Sequence, residues 1–443
     1  MNNDIVFRLA TFVRQQGGST YYVGGCVRDH FLGIPNKDID VEVHGISEEM
    51  LKAILTKIGE PLEYGKEFGV YSIKDTNIEI SLPREEIKIG EGHKDFKVNI
   101  NPNIGTERAA IRRDFTINAL MVDAITNELI DHYGGMKDLS KRVIRHIDDK
   151  TFVEDPLRVF RAAQLAARIN FKIDEGTVKL CKTMRVSHLS KQRVEEELKK
   201  ALLNSNKPSA FFNVLKNMNQ LNYWFDEVKR CIGWEQNPKK HPEGDVYEHT
   251  MLALDEAVLY RDAVSNPYNF MLLVLVHDFG KLKTRLMTDE GWHFYGHEKH
   301  LNDIIIFLDR LVSNNETKDY ILQMVPRHMQ GHKIFKDKYS EYESNKWFDG
   351  VRYPKDLVFL TVVDKANHRD PDRLTFLMHR YSIYQAAING PHVTGQDLID
   401  LGFTPSENFT EYLAYSRDLA LRGVKKSKAL SLMSDYIVKG RKI

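Results

Sequence analysis

The sequence predicts an α/β head followed by an all-helical remainder, and three observations carry that expectation. Through residues 1–145, short apolar runs alternate with turn signals: residues 21–23, 39–43, 69–73 and 77–82 read as strands separated by Gly-, Pro- or Asn-bearing breaks. From Glu154 the spacing turns helical, with Leu157, Phe160, Leu165 and Ile169 recurring every three to five positions and Val194, Leu198, Ala201 and Leu202 continuing the pattern. A composition break at 234–245, containing Asn237-Pro238-Lys239-Lys240-His241-Pro242, reads as a linker. Beyond it lie more helices and most of the histidines. The 443 residues exceed what one core of roughly 250–300 residues accommodates, so several domains are expected. We place a head at 1–145, a helical neck and body at 146–233, a histidine-bearing helical domain at 234–390 and a helical, basic tail at 391–443 carrying Lys425-Lys426-Ser427-Lys428.

Composition narrows the class. The 63 Lys+Arg against 62 Asp+Glu leave a net charge of +1, so a nucleic-acid partner must meet a local basic patch rather than a uniformly basic surface. A hydrophobic share of 42% with 10% aromatics excludes a wholly disordered chain. The longest apolar run, 270–276, falls far short of the roughly 20 residues of a membrane helix. The first residues have no basic or apolar leader, and Cys26, Cys181 and Cys231 are too scattered for a disulfide framework or zinc knuckle. A cytoplasmic protein without a membrane partner is expected.

Gly24-Gly25-Cys26-Val27-Arg28-Asp29 follows a short strand. Paired glycines at a strand-to-helix turn let backbone approach a phosphate, and Arg28 is placed to add a charged contact. Alone, this is equally a plain tight turn. Asp38-Ile39-Asp40 lies on a strand, where residues i and i+2 share a face; two such carboxylates repel unless a cation lies between them, and Mg²⁺ takes one or two carboxylates plus substrate phosphates. Glu79 is either a third carboxylate of this group or a solvent-facing strand acid.

Together, Gly24-Gly25-x-Val27-Arg28-Asp29-x-x-Leu32-Gly33-x-x-x-x-Asp38-x-Asp40 resembles the signature of the polymerase-β-like nucleotidyltransferases, and more narrowly the CCA-adding tRNA nucleotidyltransferases of the bacterial and eukaryotic class with their poly(A) polymerase relatives. The resemblance implies a mixed-sheet head in which Asp38 and Asp40 are catalytic and bind two Mg²⁺ ions. Residues 111–120, Ile-Arg-Arg-Asp-Phe-Thr-Ile-Asn-Ala-Leu, resemble the family's second motif, implying that Arg113 (or Arg112) contacts nucleotide while Asp114 and Asn118 shape the ribose pocket. The run Tyr133-Gly134-Gly135-Met136 with Asp138 and Leu139 resembles the head-to-neck join. Residues 83–106, with Gly90, Gly92 and Gly105, resemble the flexible loop of enzymes that complete the terminal A.

In Glu154-Asp155-Pro156-Leu157-Arg158-Val159-Phe160-Arg161, Asp155 suits an N-cap and Pro156 a first helical turn. Residues 155, 158 and 161 also share a helical face, and an Asp beside an Arg matches the edges of cytosine and adenine while mispairing uracil and guanine. The segment resembles the family's protein template, which implies that Asp155 and Arg158 read the base and Arg161 supports the site or binds phosphate. Gln164 stands where many relatives carry a third arginine, and a neutral amide supplies no charge there. Arg193 and Glu197, four residues apart, resemble a bracing pair of the neck motif.

In the C-terminal half, His249, then His277-Asp278, then Asp364 follow the order H…HD…D and resemble the HD phosphohydrolase superfamily. That resemblance implies a divalent transition metal held by these four residues, phosphomonoesterase or 2′,3′-cyclic phosphodiesterase chemistry, and Lys281 near the phosphate; His297, His300 and His328 are candidates for a second ion or plain surface histidines. The leading expectation is template-independent addition of the 3′-terminal CCA to tRNA from CTP and ATP, with an appended phosphohydrolase. The alternatives are a poly(A) polymerase, a CC- or A-only enzyme, an RNA-binding protein with a decayed transferase site, or a phosphohydrolase of free nucleotides.

Overall fold

Alternation in the first part of the chain becomes a mixed sheet in the computed structural model, which describes residues 1, 3–64, 69–88, 96–366 and 370–439 and the side chains of all these except 85–88, 96–98 and 439. The strands are β1 (Ser19–Val23), β2 (Ile39–His44), β3 (Pro61–Tyr64), β4 (Val70–Ile73), β5 (Ile78–Ser81), β6 (Arg84–Lys88), β7 (Phe96–Ile100), β8 (Met121–Asp123) and β9 (Leu129–Ile130). Seven of them form one sheet in the order β3-β4-β5-β2-β1-β8-β9, with β2 and β5 parallel and the other neighbours antiparallel. Strand β2 explains the arrangement: Val41 and Val43 are 0% exposed and enter the core, while the alternate positions hold Asp40 and Glu42. Its parallel partner β5 sets Ile78 against Ile39 and Ile80 against Val41, which forces Glu79 opposite Asp40.

The four expected strands are β1, β2, β4 and β5. The segment 83–106, expected to be a flexible loop, carries β6 and β7 paired as an antiparallel ribbon, and Gly90 and Gly92 lie outside the described residues. The two strands are only five residues each and are separated by a charged, glycine-bearing stretch of sequence. The remainder is not wholly helical either. Val143–Ile144 pairs in parallel with Lys172–Ile173, and Leu286–Thr288 pairs with Gly291–His293 as a hairpin. Both are too short for periodicity to register.

Two compact units divide the chain: 1–201 with 210–223, and 202–209 with 224–443. The first unit joins the sheet to the expected neck through the helix Leu157–Ile169. That helix starts as its sequence dictates. Asp155 is extended (φ −116°, ψ 98°), its carboxylate accepts the Leu157 N–H at 3.1 Å, and Pro156 sits in the first turn at φ −60°. Four alanines, at 162, 163, 166 and 167, are buried along it and allow close approach. Asn170 ends it in the left-handed region at φ 55°.

Polar groups also cross this contact. Arg168 donates to Asp29 at 2.7 Å, Arg161 to Asp114 at 2.7 Å, and Arg158 to the Arg112 carbonyl at 2.6 Å. In the second unit the helix Pro267–Val276 contains the expected apolar run, with Phe270 through Val276 all 0% exposed. The end of the chain has a small core of its own, built on Leu398, Tyr415, Leu419 and Met433.

Asp29 is 0% exposed and answers both Arg28 and Arg168. Asp29→Ala leaves two guanidinium groups without their counter-charge and is expected to destabilise the first unit by about 3–5 kcal/mol. The exposed Lys137→Ala is expected to stay within about 0.5 kcal/mol of the parent. Thermal melting of both variants checks this, and equal melting temperatures would remove the ion pairs from the account of stability.

Candidate active site

The head site begins at the turn from β1 into the short helix Gly25–Phe31. Gly24 has φ 73° and ψ −138°, a region essentially confined to glycine, and a Cβ there would stand 3.1 Å from Arg113 Nη1 and 3.3 Å from Asp40 Oδ2. The missing side chain is thus what leaves room between the carboxylate and the arginine. Asp38 is exposed, Asp40 is half-buried, and Glu79 lies beside Asp40 on the neighbouring strand. Burial, then the Glu79 and Asp38 charges, pushes the Asp40 carboxyl up to about 6 against the pull of Arg113. Glu79 is exposed on its strand, yet its charge and that of Asp38 both act on Asp40, and such a set of oxygen donors fits a site for hard cations.

A second carboxylate was missed. Glu42, two residues beyond Asp40, is 0% exposed and accepts from Arg112 at 3.0 Å, Arg113 at 3.4 Å and His44 at 2.9 Å. Burial works against its charge, but His44, Arg113 and Arg112 hold it down to about 2. Its signal was present in the alternation Asp38-x-Asp40-x-Glu42. The residue fixes the Arg113 guanidinium, and with it the cationic wall of the site.

The remaining expected nucleotide ligands form a buried lattice. Arg28 does not reach outward for phosphate. It is 4% exposed, donates to Asp29 Oδ1 through Nε at 2.9 Å, and gives Nη1 to Asn118 Oδ1 at 2.6 Å. Gly25 lies against that guanidinium, and a Cβ there would reach Arg28 Nη2 only at ordinary contact distance, 3.5 Å. Asn118 donates in turn to Asp114 at 2.8 Å, and Asp114 accepts from Arg161. Burial opposes the charge of Asp114, but Arg161 and Asn118 hold its carboxyl below the usual range.

Asp155 and Arg158 do not pair with each other. Asp155 accepts from Arg193 at 2.9 Å, and Arg158 donates to the carbonyls of Thr151 at 2.7 Å and Arg112 at 2.6 Å. The pairing read for Arg193 and Glu197 is likewise replaced, because Arg193 goes to Asp155 and Glu197 accepts from Lys200 at 3.1 Å. A carboxylate brought near by tertiary packing outcompeted the one four residues along. Gln164, at the arginine position of the resemblance, is buried within the helix.

The second unit assembles the histidine site. His249 comes from the helix Val246–Ala257, His277 from the C-terminal cap of Pro267–Val276 with Asp278 next to it, and Asp364 from the C-terminal cap of Pro354–Val363. One ligand atom of each of these four buried residues lies within 4.8 Å of the others. His249 Nε2 stands 2.9 Å from Asp364 Oδ1 and 3.4 Å from Asp278 Oδ2, and His277 Nε2 is 3.4 Å from each carboxylate.

Backbone and carboxylate acceptors fix the imidazoles. His277 Nδ1 bonds the Val274 carbonyl at 2.8 Å, and His249 Nδ1 bonds Glu243 at 2.8 Å. These acceptors have no proton to give, so Nδ1 carries it and a neutral ring turns the Nε2 lone pair inward. His277 Nε2 is buried without a hydrogen-bond partner. Burial disfavours its charge, yet Asp278 and Asp364 raise it to about 10, and a proton so held is what a metal ion displaces on binding.

Asp278 also faces a second set. Its Oδ1 lies 3.2 Å from His297 Nε2 and 3.9 Å from His328 Nε2, and both rings anchor Nδ1 on a carbonyl, of Phe294 at 2.9 Å and Val325 at 2.6 Å. Burial and the neighbouring His297 push His328 down to about 3, so its ring is neutral. Of the three extra histidines, His297 and His328 join the cluster, whereas His300 is exposed and does not. Lys281, expected near phosphate, donates to Asp278 at 2.6 Å and to Gln236 at 2.8 Å. Glu243 and His332, which contacts Asp364 Oδ2 at 2.5 Å, were missed. For His332 the signal was its position four residues after His328 on one helix face.

A sequence model of the Poly A polymerase head domain matches residues 20–145. The Multifunctional CCA protein of Actinobacillus pleuropneumoniae serotype 5b is 37% identical over 322 residues, covering 71% of this chain and 76% of that protein. The Multifunctional CCA protein of Pseudoalteromonas atlantica is 34% identical over 403 residues, covering 87% of this chain and 95% of that one. In fold, the Thermotoga maritima CCA-adding enzyme complexed with tRNA matches with a TM-score of 0.65 at 20% identity, over 99% of this chain and 96% of that chain. A CCA-adding enzyme solved with ATP matches with a TM-score of 0.69 at 19% identity, over 100% and 96%. The glycine turn, the carboxylate strands and the arginine lattice therefore sit in a chain that is similar to such proteins along most of its length, and the chain belongs to the CCA-adding enzyme family, among the multifunctional CCA proteins.

Proposed function

We propose that this protein completes the 3′-terminal CCA of tRNA from CTP and ATP without a nucleic-acid template, and that its second unit is a metal-dependent phosphohydrolase. The observation that carries the first part is the grouping of Asp38, Asp40 and Glu79 beside Arg113 across a side-chain-free Gly24. Divalent ions held by Asp38 and Asp40, with Mg²⁺ suited to an all-oxygen donor set, supply charge neutralisation at the α-phosphate and activation of the attacking 3′-hydroxyl. The chain's own residues do the rest. Arg113, braced by Glu42, presents a fixed positive charge to the triphosphate. Asn118, held between Arg28 and Asp114, is set for the ribose. Gly24 and Gly25 keep the backbone clear for the nucleotide.

Base choice is assigned to Asp155 and Arg158. Asp155 retains acceptor capacity beyond Arg193, and Arg158 is tied to the backbone of the Arg112–Arg113 segment, which links the helix carrying it to the nucleotide wall. Arg161 serves by holding Asp114. The four-domain division, with a head at 1–145, a neck and body at 146–233, a phosphohydrolase at 234–390 and a tail at 391–443, is kept as a functional partition, although the neck and body straddle the two compact units, with 202–209 and 224–233 in the second. No helix among the described residues is long and apolar enough to cross a membrane.

For the second unit, His249, His277, Asp278 and Asp364 offer mixed imidazole and carboxylate donors that suit a divalent transition metal, with His297 and His328 able to hold a second ion against the other oxygen of Asp278. Such ions supply Lewis-acid polarisation of a phosphoester. Phosphomonoesters and 2′,3′-cyclic phosphodiesters are the proposed substrates.

Asp40→Ala is expected to lower nucleotide incorporation on tRNA lacking its CCA end by about 10²–10³-fold or more while tRNA binding persists. Near-normal incorporation with Mg²⁺ would end the assignment of the head. Asp155→Asn separates cap from reader: Asn caps about as well, so the melting temperature should hold, but its amide can donate to O4 of uracil or O6 of guanine. Offering the four NTPs separately should show UTP or GTP incorporation rising relative to CTP, and unchanged selectivity would leave Asp155 as a cap paired with Arg193. Asp278→Ala removes the carboxylate shared by both histidine groups. Elemental analysis should then show loss of bound transition metal, with hydrolysis of 2′,3′-cyclic AMP lost and CCA addition retained. Undiminished metal content would refute the ligand set.

A further inference from the structure

A cavity of about 200 Å³ opens over the histidine site, with Asp278 and Asp364 among its lining residues. Hydrolysis of a phosphoester calls for the acidic end and for cations, and Lys240, Lys281 and Lys365 supply the latter around the same space. Neither need explains the aromatic part of the lining. Trp292, Phe294 and Tyr295 supply it in near succession, just after the turn of the hairpin Leu286–Thr288/Gly291–His293.

This wall is held rigidly. Arg285 lies 3.7 Å over the Trp292 ring and 4.7 Å over Trp234, while Trp292 Nε1 donates to Glu235 at 3.2 Å. Asn237 Nδ2 donates to the Glu290 carbonyl in the hairpin turn at 2.7 Å. Tyr295 is stacked on the buried His293 with ring centroids 5.0 Å apart and planes 13° from parallel, yet it remains 68% exposed. A large ring backed by a second ring and left in water costs hydrophobic free energy unless something flat covers it. Leu286 and Met287, on the same hairpin, are also more than half exposed.

We propose that this hairpin is a base platform, on which Tyr295 stacks the nucleobase of a nucleoside phosphate whose phosphate group lies toward the lysines and Asp278. The inference rests on the phosphohydrolase reading of the site and adds the recognition element that makes its substrates nucleotides rather than phosphoesters in general. Two sources share this chemistry, a free mononucleotide and the 3′ end of an RNA. Stacking accepts every base because each has a π-face, so the platform selects for a base without demanding a sequence.

The test compares the full-length protein with Tyr295→Ala and Tyr295→Phe on three substrates: 2′,3′-cyclic AMP, a short RNA ending in a 2′,3′-cyclic phosphate, and the baseless glycerol 2-phosphate. Tyr295→Ala is expected to raise KM for one or both nucleotide substrates roughly five- to hundredfold, the range that base–aromatic stacking supplies, with kcat little changed. Glycerol 2-phosphate should be unaffected, and Tyr295→Phe should restore the parent KM. A rise for the RNA alone or for the mononucleotide alone names the natural source. Equal losses on all three substrates, or none on either nucleotide, would overturn the platform. Calorimetric binding of adenosine 2′-phosphate, parent against Tyr295→Ala, gives a readout that needs no turnover. If the parent hydrolyses nothing, the phosphohydrolase reading fails, while a weaker binding heat in Tyr295→Ala still upholds the platform and an unchanged one rejects it.

Discussion

Asp29 and Asp114 are the two buried carboxylates on which the first unit depends. Each is answered from two directions, Asp29 by Arg28 and Arg168, Asp114 by Asn118 and Arg161. Arg28 and Asn118 bond each other, so the two acids belong to one continuous lattice. Charge removed from water is costly, and removing one partner of a buried pair is costlier than never having built it. The lattice therefore tolerates few arrangements. It fixes where the helix Leu157–Ile169 crosses the head, and with it the distance between Arg158 and the Arg112–Arg113 segment. A wholly apolar contact of the four buried alanines would permit the helix to slide, whereas directional ion pairs do not.

The histidine site meets a similar demand by other means. In the head, burial and then the Glu79 and Asp38 charges raise the Asp40 carboxyl, and a cation would favour its ionised form. In the second unit the carboxylates are held ionised by the imidazoles and Lys281, and Asp278 and Asp364 lie well below the usual range although burial opposes their charge. Four histidines are oriented through Nδ1 by three carbonyls and Glu243, which leaves four Nε2 atoms converging on two acids. Gly280 shows how closely this is built: a Cβ there would stand 2.0 Å from the His297 carbonyl, so only glycine lets the Asp278 and His297 segments approach.

How much of this was legible in the sequence depends on whether the determinant was local. Strands β1, β2, β4 and β5 carried their own alternation. Asp38, Asp40, His277 and Asp278 stood in short motifs, and the cap at Asp155 with Pro156 followed from chemistry within three residues. The partners of the arginines were not legible. Arg193 finds Asp155 rather than Glu197, and Arg28 turns inward to Asp29 and Asn118, because these pairings are set by packing between segments up to 90 residues apart. The charged ribbon of β6 and β7 and the hairpin near Trp292 escaped for a different reason. Strands of three to five residues are too short for a period to stand out. Glu42 and His332 were visible as positions, two after Asp40 and four after His328, and were passed over because each extends a motif already counted as complete.

On the function proposed above, the two donor sets would let one chain serve two chemistries without exchanging ions. Oxygen donors alone discriminate poorly among small divalent ions but favour those that keep water and substrate phosphate in their shell. Imidazole donors raise affinity along the transition series well above what carboxylates achieve. On the proposed reading, a transition metal present at low concentration would be drawn to the histidine site before it competes at Asp38 and Asp40. Abundant Mg²⁺, which binds imidazole weakly, has little claim on the second unit. The separation follows from side-chain chemistry in each unit and requires nothing of how the units are placed, so a chain that lost either donor set would keep the ion preference of the other.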